Sequence, residues 1–167
     1  PVDHPLFDDA AWEVLPASVR DELRERPRGQ LGTVGGGNHY VDVFADQAER
    51  VWVGVHFGSR GLGFITAHGF VARAQGRAWR DLNPARAADM NREVLLDVDS
   101  ELGRDYWAAM ELAGRYAYAG REWVARTVTR MMGARELDLV HNHHNFAWKE
   151  THAGEELVVV RKGATPA

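Results

Sequence analysis

Tyr40-Val41-Asp42-Val43-Phe44 and, after a short polar stretch, Val51-Trp52-Val53-Gly54-Val55-His56-Phe57 decide the reading of this chain. The second run alternates, with Val51, Val53 and Val55 on one face, as a half-buried strand requires. Asp46, Gln47 and Ala48 between the runs predict a hairpin, with a longer connection as the alternative. Working outward, Gly35-Gly36-Gly37 feeds the first strand. Gly58-Ser59-Arg60-Gly61-Leu62-Gly63 leaves the second as a glycine-rich loop.

Farther out the period changes. A helix is expected from about Ala67 to Trp79, and Asn83-Pro84 reads as a further helix start. From there to Met132 the pattern is helical, as two helices broken near Gly103. Tyr106, Met110, Ala113 and Ala117 form one apolar stripe, which Val124, Val128 and Met131 continue. Gly133 reads as a helix stop. Leu137-Asp138-Leu139-Val140 then reads as a strand running into His141-Asn142-His143-His144-Asn145, and Glu156 to Arg161 as a final strand. Upstream, Leu15, Val19 and Leu23 recur at helical spacing, and Pro27 with Gly29 ends that segment. Strands, then long helices, then strands give an α+β class: mixed or antiparallel strands flanking a long helical insertion.

Composition bounds the function. The 167 residues suit one domain, or one domain plus a limb. Apolar residues make up 45% and charged residues 26%, which excludes collagen, a disordered tail and a coiled coil. No apolar run approaches the ~20 residues of a membrane helix, so no membrane partner is expected. Twenty basic against 24 acidic residues leave a net charge of −4, so bulk charge does not hold nucleic acid here. With no cysteine, neither a disulfide nor a thiol nucleophile exists in this chain. The chain opens Pro1-Val2-Asp3-His4 without Met or a signal-peptide pattern and closes just after a strand-like run. A segment of a longer protein is the expectation.

The eight histidines carry most of the information. His39 enters a strand from the triple glycine, and His56 closes the next one. His141, His143 and His144 follow the strand read at 137–140. Imidazoles at several strand ends can build a divalent-metal site; any single one can equally be a hydrogen-bonded structural residue. Asn38-His39 and His144-Asn145 pair an amide with an imidazole twice, useful for orienting a phosphate or a metal-bound water. In a regular strand His39 points away from Asn38 and Asp42, so one shared site requires a bulge or turn at the glycines. Asp42 is the best-placed carboxylate, whereas Glu150 reads equally well as a solvated residue. Neither glycine loop is a P-loop or a dinucleotide fingerprint. Both read as tight turns, with Arg60 able to hold a phosphate in bidentate fashion. Arg161-Lys162 can contact phosphates or form a charged turn.

Taken in order, these residues resemble the RtcB-type RNA ligases. The stretch Gly32 to Asp42 is similar to that family's Gly-Asn-His motif, and His56 to Gly63 to its second histidine motif. Tyr106 to Ala117 resembles its helical signature, and His144-Asn145 with Arg161 to Thr165 its third and fourth motifs. The resemblance divides the chain into an N-terminal helical segment, 1–30, and the central part of an RtcB-like catalytic domain, 31–167. It implies an enzyme that joins RNA 3′-phosphate or 2′,3′-cyclic phosphate ends to 5′-hydroxyl ends. GTP and two Mn²⁺ ions serve as cofactors, through a guanylylated histidine and an RNA-3′-pp-guanosine intermediate. It further implies metal ligation by His39, His56 and His144. Guanylate contacts fall to Asn38, His39, Tyr40, Val41, Asp42, His144 and Asn145. Arg60, Arg161 and Lys162 are left for phosphate or RNA. A cytoplasmic enzyme of transfer-RNA splicing or RNA repair, with an archease-type activator, is the corresponding setting.

Departures from the family pattern accompany the likeness. Its N-terminal Asp and Cys metal motif has no counterpart here, nor has its His-Gly-Ala-Gly-Arg stretch with the guanylylated histidine. No catalytic nucleophile is therefore expected in this chain, which alone would be incomplete. Asp42 stands where Glu is usual, and Gly120 where Asn is usual. Two other readings compete: a non-ligating relative that binds metal or nucleotide, and a metal-dependent phosphoesterase with water as nucleophile.

Overall fold

A computed structural model describes residues 2–81 and 93–165. The helix start expected at Asn83-Pro84 lies outside the described residues. The chain divides into two compact units, Pro1–Ala134 and Arg135–Ala167.

The first unit opens with two short 3₁₀ helices, Pro5–Asp8 and Ala10–Val14. Asp9 caps the second by accepting from the Ala11 N–H at 2.8 Å. These turns bury Phe7 and Trp12, and the Trp12 indole N–H donates to the Leu6 carbonyl at 2.8 Å. Helix α1, Ala17–Gln30, adds Val19 and Leu23 to the same core, beside Phe70, Leu112 and Tyr116. The N-terminal segment thus supplies part of the unit's hydrophobic centre.

Helix α1 runs through Pro27 instead of ending there. Proline's fixed φ is helical, and the ring removes only one backbone donor. Two bonds to the Pro27 carbonyl close the last turn: the Leu31 N–H at 2.9 Å and the buried Tyr116 hydroxyl at 3.0 Å. Burial pushes the Tyr116 phenol up to about 12, so it stays a donor at any physiological pH.

The predicted hairpin is present. Strand β1, Tyr40–Ala45, pairs antiparallel with β2, Val51–His56, from Tyr40 opposite His56 to Ala45 opposite Val51. Asp46 organises the connection. Its carboxylate accepts from the Ala48 and Arg50 N–H groups at 2.9 and 3.0 Å, and from the Trp52 indole at 3.0 Å.

Helix α2 spans Leu62–Ala74, starting earlier and ending sooner than the expected 67–79. Ser59 accounts for the start, because its hydroxyl accepts from the Gly63 N–H at 3.0 Å. Gly76, at φ 69°, accounts for the stop. Trp79 lies beyond it and packs edge-on against Phe70 at 5.1 Å.

Helix α3 runs unbroken from Glu101 to Met131, and residues 93–100 before it are not helical, so the break expected near Gly103 falls just ahead of Glu101. Gly103 sits in the first turn, where its N–H bonds the Ser100 cap at 3.0 Å. A β-carbon there would overlap the Asp97 carbonyl, so glycine serves close approach and not a break. Gly133, at φ 68°, follows the helix as expected.

In the second unit, residues 137–140 are not a strand. Leu137 and Val140 are exposed, and the stretch joins no ladder among the described residues, so apolar alternation alone leaves the backbone unpaired. The partner of the final strand is instead β3, Asn145–His152, paired antiparallel with β4, Glu155–Lys162. Ala153 and Gly154 connect them, both at positive φ (52° and 87°), as a type I′ hairpin demands. Helices plus antiparallel strand pairs flanking a long helix make the fold α+β, as expected. Among the described residues no helix is long and apolar enough to cross a membrane.

Candidate functional site

The end of the β1–β2 hairpin gathers much of the candidate site. Tyr40 and His56 are cross-strand partners, and their rings stack with centroids 5.3 Å apart. Asp42, opposite Gly54, shares that face by strand alternation. Diagonal neighbours on one face lie about 7–8 Å apart, within reach of one ligand. Gly54 lets the Phe44 ring lie over this face, since a β-carbon there would meet that ring at 3.0 Å. Val41 falls on the other face with Val55.

His39 stands just before β1, as Phe57 stands just after β2. Its ring meets the Phe57 ring edge-on at 6.2 Å. Two ring pairs thus meet at the hairpin end, Tyr40 with His56 and His39 with Phe57. The glycine turn, with Gly35 at φ 90° and Gly37 at φ 76°, leads into the strand just ahead of His39. Asn38 lies exposed in that turn.

Arg60 links the two glycine loops. It adopts φ 57°, rare for a side chain other than glycine. Its Nη1 donates to the Val34 carbonyl and lies 3.1 Å from His39 Nδ1. The Val34 carbonyl is also 3.1 Å from that Nδ1. With its proton on Nδ1, His39 donates to Val34 and presents a bare Nε2, the form a metal requires. With Nδ1 bare, Arg60 donates to it and Nε2 carries the proton. The donor chemistry at His39 thus suits a divalent ion. Among the described residues, however, no three His, Asp or Glu side chains come together as a metal-holding group.

Helix α3 braces the end of β2. The Arg121 Nη1 donates to the Phe57 carbonyl at 2.8 Å, and Gly120 lies beneath the Phe57 ring. Burial draws the Arg121 pKa down. The helix that carries the signature Tyr106 to Ala117 therefore buttresses, one turn farther on, the strand that carries His56.

In the second unit, His144-Asn145 and Arg161-Lys162 are physically joined. Asn145 pairs with Lys162 across the hairpin. The Asn145 side-chain oxygen accepts from the Gly163 N–H at 3.0 Å, and the His144 carbonyl from the Ala164 N–H at 3.2 Å. His144 is exposed, while His143 stacks on Phe146 at 4.5 Å. Lys162 shares a face with Asn145, and Arg161 lies on the opposite one. There Arg161 Nη2 bonds Glu150 Oε2 at 2.8 Å, and Nη1 bonds Oε1. Glu150 is thus an ion-paired residue. Arg161 and His152 hold its carboxyl well down, at about 2. Sequence reasoning passed over Val34, which acts through its backbone carbonyl and leaves no residue-type signal.

Comparison with known proteins gives this arrangement its class. Residues 6–167 match the family described as tRNA-splicing ligase RtcB. The RNA-splicing ligase RtcB of Escherichia coli K12 is 29% identical over 98% of this chain and 44% of its own length. The tRNA-splicing ligase RtcB of Archaeoglobus fulgidus is 32% identical over 91% of this chain and 36% of its own. That of Pyrococcus horikoshii is 30% identical over 91% and 20%. These relatives are named as RNA-splicing or tRNA-splicing ligases, and the chain spans less than half of their length. It belongs to the RtcB family.

Proposed function

We propose that this chain is the central part, over 31–167, of the catalytic domain of a GTP- and Mn²⁺-dependent RNA ligase. The enzyme would join 3′-phosphate or 2′,3′-cyclic phosphate ends to 5′-hydroxyl ends. One observation carries the reading. The family's ordered motifs fall at strand termini: His39 before β1, His56 ending β2, His144-Asn145 entering β3 and Lys162 ending β4.

His39, His56 and His144 would hold Mn²⁺, which when bound stabilises charge on phosphoryl oxygens. Asn38, Tyr40, Val41, Asp42 and Asn145 would contact the guanosine nucleotide, together with His39 and His144. A carboxylate at Asp42 accepts from the guanine N–H edge, one methylene shorter than the family's usual Glu. Arg60 would release the Val34 carbonyl to grip a phosphate. The Arg161-Lys162 end of β4 would present a cation to a phosphate of the nucleotide or the RNA. The guanylylated histidine belongs to sequence outside the motifs present here. A cytoplasmic role in transfer-RNA splicing or RNA repair, with an archease-type activator, fits this chemistry.

The test uses the full-length protein with radiolabelled GTP, Mn²⁺ and an RNA bearing the two ends. The wild type becomes labelled and ligates. His56→Ala loses the label while keeping its circular-dichroism spectrum. Phosphate release from simple esters without GTP would replace this reading with a phosphoesterase.

A further inference from the structure

Arg161 carries a positive charge that is already matched. Its two terminal nitrogens hold the two oxygens of Glu150, and its guanidinium lies 5.4 Å over the Trp148 ring. Both side chains are about four-fifths buried, at 22% and 19% exposure. His152 Nε2 sits 2.8 Å from the same carboxylate. A phosphate could engage those nitrogens only by displacing a bidentate, charge-assisted pair. Lys162 lies on the other face, exposed and directly opposite Asn145.

The pair also sits where it can fix the register. Arg161 opposes Phe146 near the start of β3, whereas Glu150 lies farther along that strand. Their bond ties the end of β4 diagonally across β3. Beyond Arg161, the Gly163 and Ala164 N–H groups reach Asn145 and His144. Loosening Arg161 frees the backbone that presents Lys162 and holds the Asn145 side chain in place.

We propose that Glu150 is a positioning residue of the nucleotide site. It acts through Arg161 to hold Lys162 and Asn145 side by side, so that Lys162 and not Arg161 meets the phosphate. This rests on the ligase reading above.

The experiment measures two things in the full-length protein: GTP affinity in Mn²⁺ by equilibrium binding, and amide exchange at Gly163 and Ala164. Glu150→Gln is expected to weaken GTP binding about tenfold and to speed both amides. The double exchange Glu150→Arg with Arg161→Glu restores both readouts, since it remakes the pair in reverse. Lys162→Gln weakens GTP binding and leaves the amides unchanged. If the double exchange restores amide protection but not GTP binding, Arg161 itself contacts the phosphate and the proposal falls. It falls as well if Glu150→Gln changes neither readout. A wild type that binds no GTP overturns the ligase reading first, and this inference with it.

Discussion

The Arg60 guanidinium fills the space that a side chain at Gly35 would occupy. Gly35 also sits at φ 90°, so two independent constraints require glycine there. The triple glycine therefore does more than turn the chain. It opens a channel through which Arg60 reaches the Val34 carbonyl and the His39 ring.

Gly35→Ala is expected to expel Arg60 and to strain the turn. Backbone strain of this kind amounts to about 1–3 kcal/mol. Thermal unfolding of the full-length protein should fall accordingly, and the His39 imidazole resonances should shift as Arg60 leaves. Gly36→Ala is the control, because nothing lies within 4 Å of a β-carbon there and its φ is not positive. Equal effects from both substitutions would remove the special role of Gly35.

The hairpin and the class were legible because both rest on local pattern. Val51, Val53 and Val55 alternate, and Asp46 marks the turn whose donors it binds. The second hairpin was read only in half. Strand β3 carries Lys149, Glu150, Thr151 and His152, so it lacks the apolar alternation that betrayed β2. Its pairing follows from contact with Val158 and Val160 on β4, a relationship between strands that no single run displays. Leu137 and Val140 misled for the converse reason: apolar spacing without a partner makes no strand. At the site, residue types gave the candidates but not their sides. The shared face of Tyr40, Asp42 and His56, and the opposite facing of Arg161 and Lys162, emerge only from the register.

The β3–β4 turn offers a stabilising substitution. Ala153 occupies the first left-handed position of a type I′ turn, where Asn is favoured before Gly. Ala153→Asn should raise the stability of this hairpin by about 0.5–1 kcal/mol, by relieving the alanine's φ penalty. Slower amide exchange at residues flanking the turn would register the gain. Unchanged exchange would mean that the turn does not limit hairpin opening.

Acid should open the same hairpin late. The Glu150 carboxyl is held at about 2 instead of 4.5, chiefly by its bonds to Arg161 and then to His152. A depressed carboxylate contributes stability fully above its unfolded value and loses it as pH falls through the folded one. The contribution should therefore persist at neutral pH, decline below about 4.5 and vanish near 2. Fluorescence of Trp148, under the Arg161 guanidinium, can follow this if single-tryptophan variants isolate it. Glu150→Gln should abolish that part of the titration. A midpoint near the ordinary carboxylate value in the wild type would show that the pair does not hold in solution.

RNA binding should depend steeply on salt. The net charge of −4 means that any attraction to RNA comes from local cations and not from the whole surface. Each neutralised phosphate releases condensed counterions, with a slope near −0.7 per contact on single strands. Arg60→Ala should reduce that slope by roughly one contact if Arg60 grips a phosphate of the RNA. An unchanged slope with a weaker GTP affinity would assign Arg60 to the nucleotide instead.

Gly120 tests whether the long helix is tuned to the strand end it supports. A β-carbon there would lie 3.1 Å from the Phe57 ring and 3.7 Å from Leu31. Both neighbours are buried, at 5% and 3% exposure, so neither can step aside into solvent. Gly120→Ala gains about 1 kcal/mol of helix propensity but must push Phe57 by a few tenths of an ångström. The two effects oppose, and the net change in unfolding temperature should be small. Gly120→Asn adds a polar side chain where Phe57 now packs. It should destabilise by about 1–3 kcal/mol unless its amide finds partners, because a buried polar group without them carries that penalty. If Gly120→Asn instead raises stability and GTP affinity together, space exists beside Phe57 that this packing does not reveal. The glycine would then be a loss of function and not an adaptation of the helix to the strand.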